Sequence, residues 1–128
     1  MRLYQYRVVI LLGALISFAS LAVEPPKSAQ APDQQQLTEL ISGNTLDGVW
    51  AGRPYRQFFS TSGSTRYREG NGAESRGTWR VDGSGRYCSV WPPSTREACY
   101  EVLVEGNHVY WNSGDDFYPS AVIEGNLF

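Results

Sequence analysis

From Thr45 onward the chain is divided into short runs of aromatic and β-branched residues. The stretches of Gly, Asn, Asp and Ser between them are too brief for anything but a hairpin. A parallel crossover needs a dozen or more residues between strands, so each run must pair antiparallel with a neighbour. The spacing predicts strands over 46–51, 54–60, 64–69, 75–82, 85–91, 98–105, 108–113 and 120–125. Along these runs the faces alternate. Trp79 and Val81 share one side against Thr78, Arg80 and Asp82, and Tyr100, Val102 and Val104 oppose Glu101, Leu103 and Glu105. That is the pattern of a sheet buried on one side only. A meander of about eight strands must hide its apolar face and deal with its edges, and closure into a barrel does both. A two-sheet sandwich would satisfy the same alternation. The expected fold class is all-β with one short N-terminal helix, an antiparallel up-and-down small β-barrel.

That helix is expected over 33–42. Asp33 is a good N-cap, Gln36 completes a capping box, and Gly43 suits the position after the last turn. Leu37, Leu40 and Ile41 form a narrow apolar stripe. A helix this short does not persist alone in water, so it must lie across an end or edge of the sheet.

The residues before it read as an address and a spacer. Arg2 and Arg7 precede an apolar run from Val8 to about Ala19, followed by the small residues Ser20 and Ala22. This describes a secretory signal peptide over 1–22, cleaved after Ala22. An uncleaved anchor would need about 20 apolar residues, more than this run supplies. Val23 to Pro32, with three prolines, reads as a flexible lead-in, leaving 33–128 as a single domain.

Composition narrows the partners. The chain has 11 basic and 13 acidic residues, without a run of either sign, and two of the basic ones lie in the leader. A basic stripe for nucleic acid and a basic amphipathic helix for an anionic membrane surface are both absent. Cys88 and Cys99 are the only cysteines. In an exported chain such a pair is most simply a disulfide, worth about 3 kcal/mol for a loop of about a dozen residues. No cofactor or metal is expected, since redox work would want a closer Cys-x-x-Cys and a metal more ligands than one histidine.

Gly77-Thr78-Trp79, Cys88-Ser89-Val90-Trp91 and Cys99-Tyr100, with ISGNTLDG before them and IEGN after, carry a resemblance. The chain resembles a family of small exported bacterial proteins of unknown function with a lipocalin-like look, over Leu37 to Asn126. The resemblance implies a compact barrel-like domain of the bacterial envelope, periplasmic or secreted. It implies no activity or site.

Few residues advertise chemistry. His108 is the only histidine and follows a turn, with no Gly-x-Ser-x-Gly motif elsewhere. Asp115 and Asp116 lack the spacing of a calcium loop. Glu97, Glu101 and Glu105 suit the solvated face of one strand. An enzyme is therefore not expected. Phe128 ends the chain as outer-membrane barrels often end, but Asn126 and Glu124 interrupt the apolar alternation, and most runs fall short of the 9–11 residues of a spanning strand.

The aromatic content points elsewhere. Four tryptophans and eight tyrosines supply apolar bodies with polar tips, suited to a core or to a binding surface. Trp79, Val81 and Tyr100 are the expected walls of a ligand site. Trp91 is its expected platform and Arg96 an anion partner, on a loop held at both ends by the disulfide and so preorganised. The leading expectation is a monomeric binding module for a small apolar or aromatic ligand or an envelope component, with no membrane span after cleavage. The alternative is a protein–protein role, such as an inhibitor of a lysozyme-type hydrolase. Intact-mass measurement of the exported protein is expected to find Val23 as its first residue, and a retained leader would contradict the compartment assignment.

Overall fold

A computed structural model describes residues 23–128; the expected signal peptide lies outside the described residues. One helix, α1 (Gln34–Ile41), precedes nine strands. They are β1 (Thr45–Trp50), β2 (Arg53–Phe59), β3 (Ser64–Glu69), β4 (Ser75–Val81), β5 (Tyr87–Val90), β6 (Ala98–Tyr100), β7 (Val102–Glu105), β8 (His108–Ser113) and β9 (Asp116–Ile123). All strand pairings are antiparallel, in the order β6-β5-β4-β3-β2-β1-β9-β8-β7. No helix among the described residues is long and apolar enough to cross a membrane.

The two ends of that order are consecutive in the chain, and this is what makes the sheet a nearly closed barrel rather than a sandwich. The run expected as one strand over 98–105 is broken at Glu101. Before the break it pairs with β5, through Tyr87 opposite Tyr100 and Cys88 opposite Cys99. After it the run pairs with β8, through Val102 opposite Trp111. Asn112 N–H donates to the Glu101 carbonyl across the break. The count is therefore nine strands instead of about eight, because one run serves two neighbours.

The Cys88–Cys99 disulfide forms between directly opposed residues, with Cα atoms 4.0 Å apart. It fastens β6, which is only three residues long and has a hydrogen-bonded neighbour strand on one side alone. The last strand begins earlier than expected, at Asp116 instead of 120, because the turn at Gly114 is tight and the strand pairs from Ser113 opposite Asp116.

The helix closes one end. Asp33 accepts from the Gln36 backbone N–H while Gln36 accepts from that of Asp33, completing the capping box. Leu37 and Ile41 are fully buried in one cluster with Leu46, Phe59, Val81 and Val109. Gln34 Nε2 donates to the Val81 carbonyl, tying the first turn to the end of β4. The β4–β5 turn fits beneath the chain entering the helix: Gly85 has φ +82°, and a side chain there would strike the Pro32 carbonyl.

The segment expected as a flexible lead-in is bonded to the wall. Gln30 exchanges backbone hydrogen bonds with Val104, and Val23 N–H donates to the Phe117 carbonyl. The C-terminal residues cross the outside of β1 to β3. Thr45 Oγ1 donates to the Gly125 carbonyl, and the Phe128 ring lies under the guanidinium groups of Arg66 and Arg68, at 4.9 and 5.3 Å.

Removing a plug residue should cost more than its transferred surface, because the barrel end cannot collapse onto the gap. Leu37→Ala is expected to destabilise by about 3 kcal/mol in denaturant unfolding, whereas Gln35→Ala, on the exposed side of α1, should change little.

Candidate functional site

At the end opposite α1 the barrel is not filled. Residues there face inward by the same alternation that packs the helix end, but they enclose a cavity of about 580 Å³. Its aromatic lining consists of Trp50, Tyr55, Tyr67, Tyr87, Trp91, Tyr100 and Trp111. Gln57 and Ser89 supply buried polar groups, while Glu74, Ser75, Arg76 and Pro92 form the remaining wall.

Register explains which residues meet. Gln57 is opposite Tyr67, Tyr67 is opposite Ser75, and Tyr87 is opposite Tyr100, so each pair shares the inner face. The rings brace one another. Tyr55 stacks on Tyr67 at 5.4 Å, Tyr67 meets Trp91 at 71°, and Tyr87 meets Trp111 at 78°. Trp91 lies over β4 because Gly77 leaves the space; a Cβ at that position would come within 2.9 Å of the indole ring. Its Nε1–H donates to Ser89 Oγ at 3.1 Å.

The buried polar groups form a neutral network. Gln57 Nε2 donates to Thr65 Oγ1 and to the Tyr87 hydroxyl, both at 3.0 Å. Trp111 Nε1 donates to Ser120 Oγ, which donates in turn to the Val109 carbonyl. Burial holds the phenols of Tyr55 and Tyr87 un-ionised, each pushed up to about 12. Tyr67 is raised too, by burial and then by its hydrogen bond to Glu69. Tyr55, Tyr67 and Tyr87 thus stand as neutral phenols at neutral pH.

Charge is confined to the rim and the outside. Glu74 accepts from both Arg66 and Arg76, and chiefly through the Arg66 bond its carboxyl is lowered to about 2. Arg80 forks onto Glu97 on the outer wall.

Of the residues expected to bind, the structure brings two together. Trp91 and Tyr100 line the cavity, and Tyr100 is 40% exposed at its mouth. Trp79 and Val81 lie deeper, in the packed core: Trp79 meets Phe59 edge-on at 5.5 Å and donates from Nε1 to the Ser60 carbonyl. Arg96 is exposed on the 91–97 loop and does not line the cavity. Trp50, Tyr55, Tyr67, Tyr87 and Trp111 stand out in the sequence only as part of its aromatic content, suited equally to a core or a surface, and Gln57 does not stand out at all. The available signal was parity, since Gln57 and Tyr55 continue the face of Phe59 toward the mouth.

The other candidates do not converge. His108 is exposed beside Tyr110, and Asp115 and Asp116 sit on the exposed β8–β9 turn. Asp82 lies close to both cysteines, but the sulfurs are spent on the disulfide, and the carboxylate is occupied by Arg86 and Ser84. No known protein-family model, curated protein or solved structure matches this chain.

The Glu74 cluster sets a pH response. Its carboxyl is depressed from 4.5 to about 2 in the folded protein. The associated stabilisation is complete above 4.5 and is lost as pH falls toward 2. Thermal unfolding across that window is expected to show a fall in melting temperature that is shallower in Glu74→Gln. An unchanged slope would show that the cluster contributes nothing.

Proposed function

We propose that this protein is an exported, non-catalytic binding module of the bacterial envelope that holds a small apolar or aromatic ligand in the open end of its barrel. One observation carries the reading: a cavity of about 580 Å³ within a domain this small, walled by seven aromatic side chains. Ligand sites typically occupy roughly 300–1,000 Å³ and combine apolar walls with a few placed polar groups. The resemblance to small exported proteins with a lipocalin-like look, the disulfide and the leader-like N-terminus support the same assignment. The aromatic walls are held by ring contacts and by the Trp91–Ser89 bond before any ligand arrives, which lowers the ordering cost of binding.

N-phenylnaphthylamine, a neutral probe that fluoresces in apolar surroundings, tests this directly. It is expected to bind at one site per chain and to be weakened in Trp91→Ala, which removes a ring from the cavity wall. Native mass spectrometry of protein purified from its own envelope should show a bound small molecule. A copurifying protein on the exposed 91–97 loop, with no probe binding, would replace the ligand reading with the inhibitor-type one.

A further inference from the structure

We infer that the cavity selects an uncharged planar aromatic molecule that enters with a carboxamide- or phenol-type group leading, and that it rejects the ionised counterparts. The inference rests on the proposed ligand role of this cavity and specifies its chemistry.

The first argument is the absence of charge at depth. The only charged lining residues are Glu74 and Arg76. They lie near the mouth, at the start of β4, and are already bonded to each other, with Arg76 Nε 3.1 Å from Glu74. Farther in, the polar groups are the amide of Gln57 and the hydroxyls of Ser89, Tyr55 and Tyr87. An ion carried to that depth would lose its hydration without meeting a countercharge, which is costly. A neutral guest avoids that penalty.

The second argument is the hydrogen-bonding capacity left over. Gln57, only 6% exposed, commits its Nε2 hydrogens to Thr65 and Tyr87. Its side-chain carbonyl accepts no hydrogen bond among the described residues. The Tyr87 hydroxyl, which accepts from Gln57, also has the Ser89 and Thr65 hydroxyls beside it, a cluster whose rotatable O–H groups can turn a proton toward a guest. An acceptor and a donor therefore stand side by side at the inner end. A primary carboxamide offers the complementary N–H and C=O, and a phenol can both give and receive one bond.

The third argument is the walls. No Val, Leu, Ile, Met or Phe lines the cavity, so it lacks the aliphatic lining expected around a flexible hydrocarbon chain. Instead, rings meet at steep angles, 71° for Tyr67 with Trp91 and 78° for Tyr87 with Trp111. A flat guest can stack on one ring of such a corner and take the edge of the other, the two arrangements aromatic pairs prefer.

The test uses four guests of one shape: naphthalene, naphthamide, naphthoate and naphthylmethylamine, titrated at neutral pH into the mature protein by ligand-observed NMR. Naphthamide is expected to bind about tenfold tighter than each of the other three. Tyr87→Phe, which removes one oxygen, and Gln57→Leu should each lower naphthamide to the affinity of naphthalene. Naphthoate or naphthylmethylamine binding as tightly as naphthamide would overturn the selectivity while leaving the cavity a ligand site. Failure of all four to bind would overturn the ligand role itself.

Discussion

The unsatisfied edge of a β-sheet is the constraint around which this fold is arranged. Backbone N–H and C=O groups along an unpaired strand recruit other chains, and a hairpin meander always has two such edges. Here both edges belong to one run of chain, 98–105, which serves β5 with its first residues and β8 with its last. A single rigid strand cannot follow both neighbours around a twisted barrel, so the run bends at Glu101. The bend leaves β6 three residues long, too short to hold by its own ladder. The Cys88–Cys99 disulfide compensates for the missing hydrogen bonds, which accounts for its position on the last β5-paired strand.

Closure also creates the two unlike ends. A barrel of this size has an interior just wide enough for side chains to fill it, and at the helix end Leu37 and Ile41 complete that filling together with Phe59 and Val81. Among the described residues no element covers the opposite end. The inward positions there are occupied by Trp and Tyr, whose long rigid rings lean on one another and leave space between them. The cavity thus follows from plugging one end only.

The arginine-rich surface belongs to the same arrangement. Because side chains alternate along each strand, placing the aromatics inside sends Arg56, Arg66, Arg80 and Arg86 outside. Each finds a carboxylate partner, respectively Asp47, Glu74, Glu97 and Asp82. Exposed pairs of this kind contribute little to stability. Their consequence is spatial, since they occupy the wall facing solvent and leave the deep interior without charge.

What the sequence determined by itself was local: the capped helix at Asp33, the turns that allow only hairpins, the alternation that gives each strand an inner face, and a single cysteine pair expected as a disulfide. These follow from backbone preferences and short-range periodicity, which act over a few residues. The need to hide the sheet edges favoured closure into a barrel, although the alternation alone fits a sandwich equally well. The sequence was silent on which inward residues pack and which line space. Trp79 and Trp91 are both assigned to the ligand site from the sequence, yet one is locked against Phe59 near the plug and the other lies across Gly77 at the mouth. That difference depends on height along the barrel, which is set by register among strands distant in sequence and by where the helix docks. Only the tertiary structure decides it, because a cavity is a property of the space between elements and no single segment encodes it.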